Sequence, residues 1–453
     1  MKILIVGIGK IGSTLLASLV SEGHDIVAID ASASVLEETA NVFDVMSICG
    51  NGADSDILEE AGVESADVFI AVTGSDEFNM LACFSAKRMG ARHTVARIRK
   101  PEYNDRSLDF LRKNLELDLA INPERLCAHE LFNLHKFPSA AKIESFSRRQ
   151  FEMIEIRLKE DSALLGMSLA ALRAKYEAKV LIPCVHRGEE VFIPDGSFVL
   201  EAGDRIGILA TPAELTRFLR ELSVFKKRAR NVMILGGGSV SQYLADALLS
   251  HGASVKLIEK DQKRAAELCE ALPKAVVICA DGASQELLLE EGLAGMDAFV
   301  ALTGMDEENI LLSIFASAHG VEKVIAKVNR EEFISLAEKL GVDTVVSPKR
   351  QVSDLLVRYV RALNNSRGSS VELLYKLMDE RVEALEFNAA RDARLCDVPL
   401  KELPLKKNVL IAGIVRERRA LSPTGESVIC AGDRVIVIAP AEAHFSDLSD
   451  ILA

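Results

Sequence analysis

The residues best placed to do chemistry are glycines. Gly7-Ile8-Gly9-Lys10-Ile11-Gly12 follows the apolar run Ile3–Val6 and opens a stretch in which Ile11, Leu15, Leu16 and Leu19 share one helical face. A glycine turn between a strand and a helix leaves N–H groups at the helix start without partners, and the helix dipole adds positive potential there. That combination suits a phosphate. Gly7 permits the tight turn, Gly9 lets a pyrophosphate approach the backbone, and Gly12 lets helix and strand pack closely. Asp30 ends the next strand, 23 residues after Gly7. A carboxylate at that spacing accepts from a ribose 2′-hydroxyl and repels a 2′-phosphate, which favours NAD or an adenine nucleotide over NADP. The competing reading is structural: an empty turn that only packs, with Asp30 capping the helix that follows.

The same chemistry is written a second time. Gly236-Gly237-Gly238-Ser239-Val240-Ser241 and Glu259 stand where the first loop and Asp30 stand. Ser241 replaces the third glycine and is expected to crowd the helix against the strand. Glu259 reaches one methylene further than aspartate, so binding here is expected to be weaker or differently selective. Thr73-Gly74 and Thr303-Gly304 end the fourth strand of each copy, where a ligand crevice lies. Asn51 and Asp281 sit in glycine-containing turns after the third strand, within reach of the adenosine end. Arg97 and Lys327, near the end of the fifth strand, would bring positive charge to a pyrophosphate or form surface ion pairs. Asp76 and Asp306 are expected to cap the following helices.

No reaction chemistry accompanies this equipment. None of the eight histidines sits at one place in both copies or has metal-ligand spacing. His24 and His251 nearly match, but they precede the second strand, at the edge away from the ligand. There is no GxSxG elbow and no P-loop. A hydride-transferring enzyme needs a proton-transfer group and a substrate clamp, and neither is visible. An NAD-dependent oxidoreductase and a redox-sensing transcription regulator are therefore the lesser readings. The net charge of -13 also weighs against nucleic acid.

The elements that must position these residues repeat as well. "ADVFIAVTGSDEFNM" (Ala66–Met80) answers "MDAFVALTGMDEENI" (Met296–Ile310), and "INPERL" from Ile121 answers "VSPKRQ" from Val346. "IPDGSFVLEAGDRIGILA" from Ile193 answers "SPTGESVICAGDRVIVIA" from Ser422. A period near 230 residues is a duplicated domain pair and not a solenoid. Apolar strands alternating with amphipathic helices imply parallel βαβ units. The expected fold class is α/β, with two tandem Rossmann-like doubly wound parallel sheets, each followed by a small α+β lobe. The expected domains are 1–123 and 230–348 for the sheets, 124–142 and 349–367 for crossover helices or linkers, and 143–226 and 368–453 for the lobes. Phe225–Asn231 reads as a basic linker and Asn364–Ser370 as a loop. Eight scattered cysteines without a CxxC pair suggest reduced thiols in cytoplasm. Cys49 and Cys279, at equivalent places, are expected to be small core residues. No leader precedes the first strand and no run of about 18 apolar residues exists, so contact with a membrane is expected to go through a partner.

The order of glycine loop, acidic strand end, "AVTGSDEFNM", "ARIRKPEY" (Ala96–Tyr103), "INPE" and a "PDG…AGD" lobe resembles the RCK (KTN) regulatory domains. The tandem layout is similar to the cytoplasmic regulatory subunits of bacterial potassium uptake systems, over essentially the whole chain. The resemblance implies a nucleotide sensor and not an enzyme, cytoplasmic and peripheral on the inner face of the cell membrane. It implies a homo-oligomeric ring below a potassium-translocating integral membrane subunit (TrkH/TrkG-like), with NAD(H) and ATP/ADP as ligands. Gly7 to Ile11, Asp30, Thr73, Gly74 and Arg97 would form the first site. Gly236 to Val240, Glu259, Asp281, Thr303 and Lys327 would form the second.

Overall fold

The computed structural model describes residues 1–100, 103, 105–136, 142–147, 149–222, 229–342, 344–365, 371–378, 381–390, 395–443, 445 and 447–453. The linker expected at Phe225–Asn231 and the loop expected at Asn364–Ser370 fall mostly outside these residues.

The first half begins β1 (Lys2–Val6), α1 (Lys10–Ser21), β2 (Asp25–Asp30), α2 (Ala33–Val42), β3 (Met46–Cys49), α3 (Ser55–Glu60) and β4 (Val68–Ala71). It continues α4 (Asp76–Arg88), β5 (His93–Arg97), α5 (Asp105–Asn114), β6 (Leu119–Ile121) and α6 (Pro123–Lys136). The strands form one parallel sheet in the order β3-β2-β1-β4-β5-β6. β1 and β4 are apolar at nearly every position because both of their faces are covered. Leu4, Val6 and Phe69 pack with Met80, Ala82, Cys83 and Ala86 of α4. Ile3 and Ile5, which point the other way by the two-residue period of a strand, are also fully buried.

A small lobe follows, made of β7 (Lys142–Phe146), β8 (Phe151–Arg157), α7 (Leu169–Lys175), β9 (Leu181–Arg187), β10 (Glu190–Phe192), β11 (Arg205–Ala210) and α8 (Pro212–Glu221). Its sheet is antiparallel, in the order β10-β9-β11-β8-β7. The second half repeats the plan with β12 (Asn231–Leu235), α9 (Ser239–Ser250), β13 (Ser254–Glu259), α10 (Gln262–Ala271), β14 (Val276–Cys279), α11 (Gln285–Glu290) and β15 (Ala298–Ala301). Then come α12 (Asp306–Ala318), β16 (Lys323–Lys327), α13 (Glu331–Lys339), β17 (Val345–Val346) and α14 (Pro348–Asn365). This sheet runs β14-β13-β12-β15-β16-β17, the same order as the first. The last lobe is β18 (Val371–Leu377), β19 (Val382–Asn388), β20 (Leu410–Arg416), β21 (Arg419–Leu421) and β22 (Arg434–Pro440). The chain thus adopts the expected class: two Rossmann-like sheets, each followed by a lobe with an antiparallel sheet.

The compact units do not follow the two halves. One unit joins Met1–His129 to Ser347–Val360, and the other joins Glu130–Val346 to Arg361–Ala453. Most of α14, from the second half, therefore belongs with the first Rossmann-like sheet. There the Ser353 hydroxyl lies 2.9 Å from that of Ser18 on α1, and Val352, Leu356 and Val360 are fully buried. Reciprocally, Phe132 of α6 packs at a tilt against His251 beside α9, with ring centroids 4.6 Å apart.

In the other unit the two lobes share a core. Phe146, Phe151, Met153, Cys184 and Leu209 pack with Tyr375, Leu377, Met378, Ala384 and Ile436. Glu386 is buried there. It accepts from the Ser147 amide at 2.6 Å, the Ser147 hydroxyl at 3.0 Å and the Tyr375 hydroxyl at 3.2 Å.

The expectation that Cys49 and Cys279 are core residues is corrected. Both are exposed, because β3 and β14 are edge strands and these cysteines end them. The buried thiols are Cys83, Cys127 and Cys184.

Candidate functional site

The first crevice lies at the carboxyl ends of β1, β2 and β4. Gly7 holds φ +93°, and a Cβ there would stand 2.9 Å from both Thr73 N and Thr73 Cγ2. Glycine is thus required twice over, by conformation and by the approach of the Thr73 loop. A Cβ on Gly12 would lie 2.0 Å from the Gly7 carbonyl oxygen, so Gly12 lets α1 fold back onto its own loop. Gly9 and Lys10 are the exposed part of the turn, and nothing lies within 4 Å of a Cβ at Gly9. Ile8 points into the core and Ile11 is half-buried.

The start of α1 has no side-chain cap, whereas Ser75 caps α4, Thr211 caps α8 and Asp261 caps α10. Its first-turn amides face the open space above Gly9. Asp30 adjoins them. One oxygen accepts from the Ile8 amide at 2.7 Å and the other from the Ser32 amide at 2.9 Å. Ser32, not Asp30, is the N-cap residue of α2. Two accepted bonds leave a carboxylate further lone pairs for hydroxyl donors.

The other wall is Thr73-Gly74, fixed by a residue whose role the sequence pattern does not reveal. Asn79 is fully buried. Its oxygen accepts from the Thr73 amide at 2.9 Å and hydroxyl at 2.7 Å, and its Nδ2 donates to the Thr73 carbonyl at 3.3 Å and the Arg97 carbonyl at 2.9 Å. Asn309 makes the same four bonds to Thr303 and Lys327. An asparagine at one place in both repeats was the available signal. Arg97 is not a surface ion pair; its guanidinium donates to the Thr73 carbonyl. Burial and the nearby Arg99 cation lower its pKa.

The capping role expected for Asp76 and Asp306 is corrected. Both stand inside the first turn and are buried. Asp76 accepts from the Arg99 and Lys100 amides at 2.8 Å each, and Asp306 from those of Asn329 and Arg330. Each ties the segment after the fifth strand to the start of the fourth-strand helix. Asn51 and Asp281 are exposed and close their own turns, accepting from Ala53 N at 3.0 Å and Ala283 N at 3.1 Å.

The second crevice shares this frame with changed details. Gly238 and Ser239 are exposed, and α9 likewise lacks a side-chain cap. Glu259 accepts from the Gly237 amide at 2.6 Å and the Asp261 amide at 2.8 Å. Gly236 keeps φ +91°. Ser241 is fully buried and its hydroxyl has no hydrogen-bond partner. Val240 is buried. Arg264 adds a clasp that the first copy lacks: its Nε donates to the Gly237 carbonyl and its Nη2 to Gln242 Oε1, each at 2.8 Å. The first copy has Val35 at that place. Lys327 Nζ reaches the Leu302 carbonyl at 3.2 Å, and Thr303 bounds the crevice with Gly304.

Among the described residues no group of three His, Cys, Asp or Glu side chains could hold a metal. No helix among them is long and apolar enough to cross a membrane.

The TrkA-N domain family matches residues 3–123 and 232–348, and the TrkA-C domain family matches 153–223 and 384–450. A Trk system potassium uptake protein TrkA homolog from Archaeoglobus fulgidus is 34% identical over 440 residues, covering 97% of each chain. The Trk system potassium uptake protein TrkA of Vibrio alginolyticus is 31% identical over 451 residues, covering 99% of this chain and 98% of that protein. These relatives are named as potassium uptake proteins and not as enzymes. Among solved structures, the RCK domain of GsuK superposes with TM-score 0.63 at 18% identity, over 97% of this chain and 92% of that one. The GsuK channel bound to NAD gives TM-score 0.63 at 19% identity, over 97% and 77%. At these identities the likeness concerns the fold.

Proposed function

The chain belongs to the TrkA family of Trk potassium uptake proteins, and from that premise we propose that it is a nucleotide-sensing regulatory subunit gating a TrkH/TrkG-like potassium-translocating membrane protein. In this reading it is cytoplasmic and peripheral on the inner membrane face, and it assembles as a homo-oligomeric ring. NAD(H) and ATP/ADP are its ligands. The observation that carries the reading is the uncapped start of α1 beside Asp30, opposite a Thr73-Gly74 wall that Asn79 holds fixed. The first-turn amides take the pyrophosphate, Asp30 takes ribose hydroxyls, and no proton-transfer group follows. Gly7, Ile8, Gly9, Lys10, Ile11, Gly12, Asp30, Asn51, Thr73, Gly74 and Arg97 make the first site. The second site, with Arg264 across its loop and Ser241 under its helix, is weaker or differently selective. The NAD-bound and ADP-bound GsuK structures support this choice of ligands.

A ligand moves a gate only through unequal affinity for two shapes. Shifting closed to open from 99:1 to 1:99 takes about 5.5 kcal/mol. Spread over four equivalent sites of a ring, that is about 1.4 kcal/mol each, or roughly tenfold per site. A few phosphate hydrogen bonds made in one shape alone supply it.

Calorimetric titration with NAD⁺, NADH, ATP and ADP tests the reading. Asp30→Ala is expected to weaken NAD(H) binding by about tenfold or more, since a hydrogen bond to a charged group contributes about 1.5–3 kcal/mol. Unchanged affinity would remove Asp30 from the site.

A further inference from the structure

A charged cluster stands beside each crevice, with Arg330 on Asp306 in the second, but among the described residues only the first extends to the helix that follows the sheet. Arg99 lies just beyond β5. Its amide donates to Asp76 Oδ2 at 2.8 Å and its Nη2 to the Gly74 carbonyl at 3.0 Å. Its Nη1 stands 3.8 Å from Glu124 Oε1, in the first turn of α6. The guanidinium therefore touches both the crevice wall and the head of the crossover helix. Arg97 adds a second guanidinium on the Thr73 carbonyl. Four buried atoms in the cluster have no hydrogen-bond partner: Arg97 Nε, Arg99 Nε, Asp76 Oδ1 and Glu124 Oε2. Buried polar atoms are normally paired. Arg99 Nε and Asp76 Oδ1 face each other as an ion pair at 3.9 Å, while Arg97 Nε and Glu124 Oε2 keep a donor and an acceptor free of hydrogen bonds beside the crevice wall.

The second copy is built otherwise. Asn329 stands for Arg99, and its amide and Nδ2 are both spent on Asp306. Lys349 stands for Glu124. A cation has moved onto the helix and none faces it from the Arg99 position.

We propose that Arg99 couples the first nucleotide site, and not the second, to the crossover helix. A pyrophosphate in the crevice competes with Glu124 for the guanidinium. As Arg99 turns toward the ligand, the head of α6 loses its cation, and α6 is the helix that runs from one compact unit into the other. Arg99 acts here as a positioning residue. The inference rests on the crevice being a nucleotide site.

Linkage fixes the sign of the test. If ligand and Glu124 compete, removing Glu124's charge must tighten ligand binding by the factor through which the ligand weakens the pair. For a partly exposed pair that factor is about two- to fivefold. The full chain is titrated with NADH by calorimetry, and amide exchange is followed over residues 124–136 with and without NADH. In the unmodified protein NADH is expected to speed exchange at the head of α6. Glu124→Gln is expected to bind NADH about two- to fivefold more tightly, with exchange already fast and indifferent to ligand. In an Arg99→Asn background the Glu124→Gln gain disappears, whereas a purely structural effect on α6 would keep it. Glu124→Asp, too short to reach Arg99, gives the same sign by a milder change. Lys349→Gln leaves both readouts as they were. Unchanged or weaker binding in Glu124→Gln, or an NADH response at α6 that survives it, overturns the coupling. Absence of NADH binding by the unmodified chain overturns the nucleotide reading itself, and the coupling with it.

Discussion

Asn79 shows how a single buried amide shapes a site that it does not line. It satisfies both polar groups of its side chain on two loops, 6 and 18 residues away in sequence. Asn79→Leu keeps the shape but strands the Thr73 and Arg97 groups, at about 1–3 kcal/mol for each one left unsatisfied. Chemical denaturation is expected to register a loss of at least about 2 kcal/mol. A neutral result would mean that water replaces the amide. Cys49 offers a different probe. It pairs in register with Asp30 on the neighbouring strand and is exposed, while Cys83 and Cys184 are buried and burial pushes their thiols far up. A maleimide is expected to label Cys49 readily and the two buried thiols hardly at all. NADH at saturating concentration should slow labelling at Cys49; an unaltered rate would move the adenosine end elsewhere.

At the scale of elements, much was legible. Parallel strands covered on both faces read as continuous apolar runs, which is why β1, β4, β12 and β15 stand out in the sequence. The glycine loops and the acids at the ends of β2 and β13 follow from local geometry. Two things were not legible. An amphipathic pattern says that α14 has a face to bury, but not which of two near-identical sheets it covers. The exposure of Cys49 depends on β3 being an edge, which is a property of strand order and not of the residues in it. Lobe pairing was hidden for a related reason: β8 and β19 pack against each other's sheets through residues that look like any strand core.

Glu386 of β19 makes that pairing testable by pH. Burial holds its carboxyl above the ordinary range, outweighing the bonds from Ser147 and Tyr375. A carboxyl with a raised folded pKa contributes fully below its unfolded value, about 4.3, and loses that contribution as pH rises through the folded value. Stability is therefore expected to fall over that window in the unmodified protein. Glu386→Gln can accept from the Ser147 amide and donate to its hydroxyl, so it should flatten the fall and be no less stable at pH 8. Denaturation midpoints from pH 5 to 8 measure this; an equally steep fall in Glu386→Gln would assign the slope to other groups.

For the whole molecule, the exchange of helices between halves matters most. Val352, Leu356, Val357 and Val360 of α14 are buried, and at roughly 1.5–3 kcal/mol for each such side chain their loss is on the order of a domain's entire stability. A fragment ending at residue 226 is expected to expose the face of α1 near Ser18, bind a hydrophobic dye and unfold at lower temperature than the full chain. A synthetic peptide spanning 347–365 should restore it. A fragment as stable as the full chain would show that α14 adds little. The helix α6 itself spans the division, with residues up to His129 in the unit that holds the first sheet and those from Glu130 in the unit that holds the lobes.

There is also a consequence for the order in which the protein comes into being. The first sheet is translated early, yet the segment that completes its unit begins at Ser347, just before α14. Making residues 130–346 in between takes roughly 10–40 s of ribosome time. Throughout that interval the nascent amino-terminal domain carries a bare apolar flank, which makes it a natural client for chaperones.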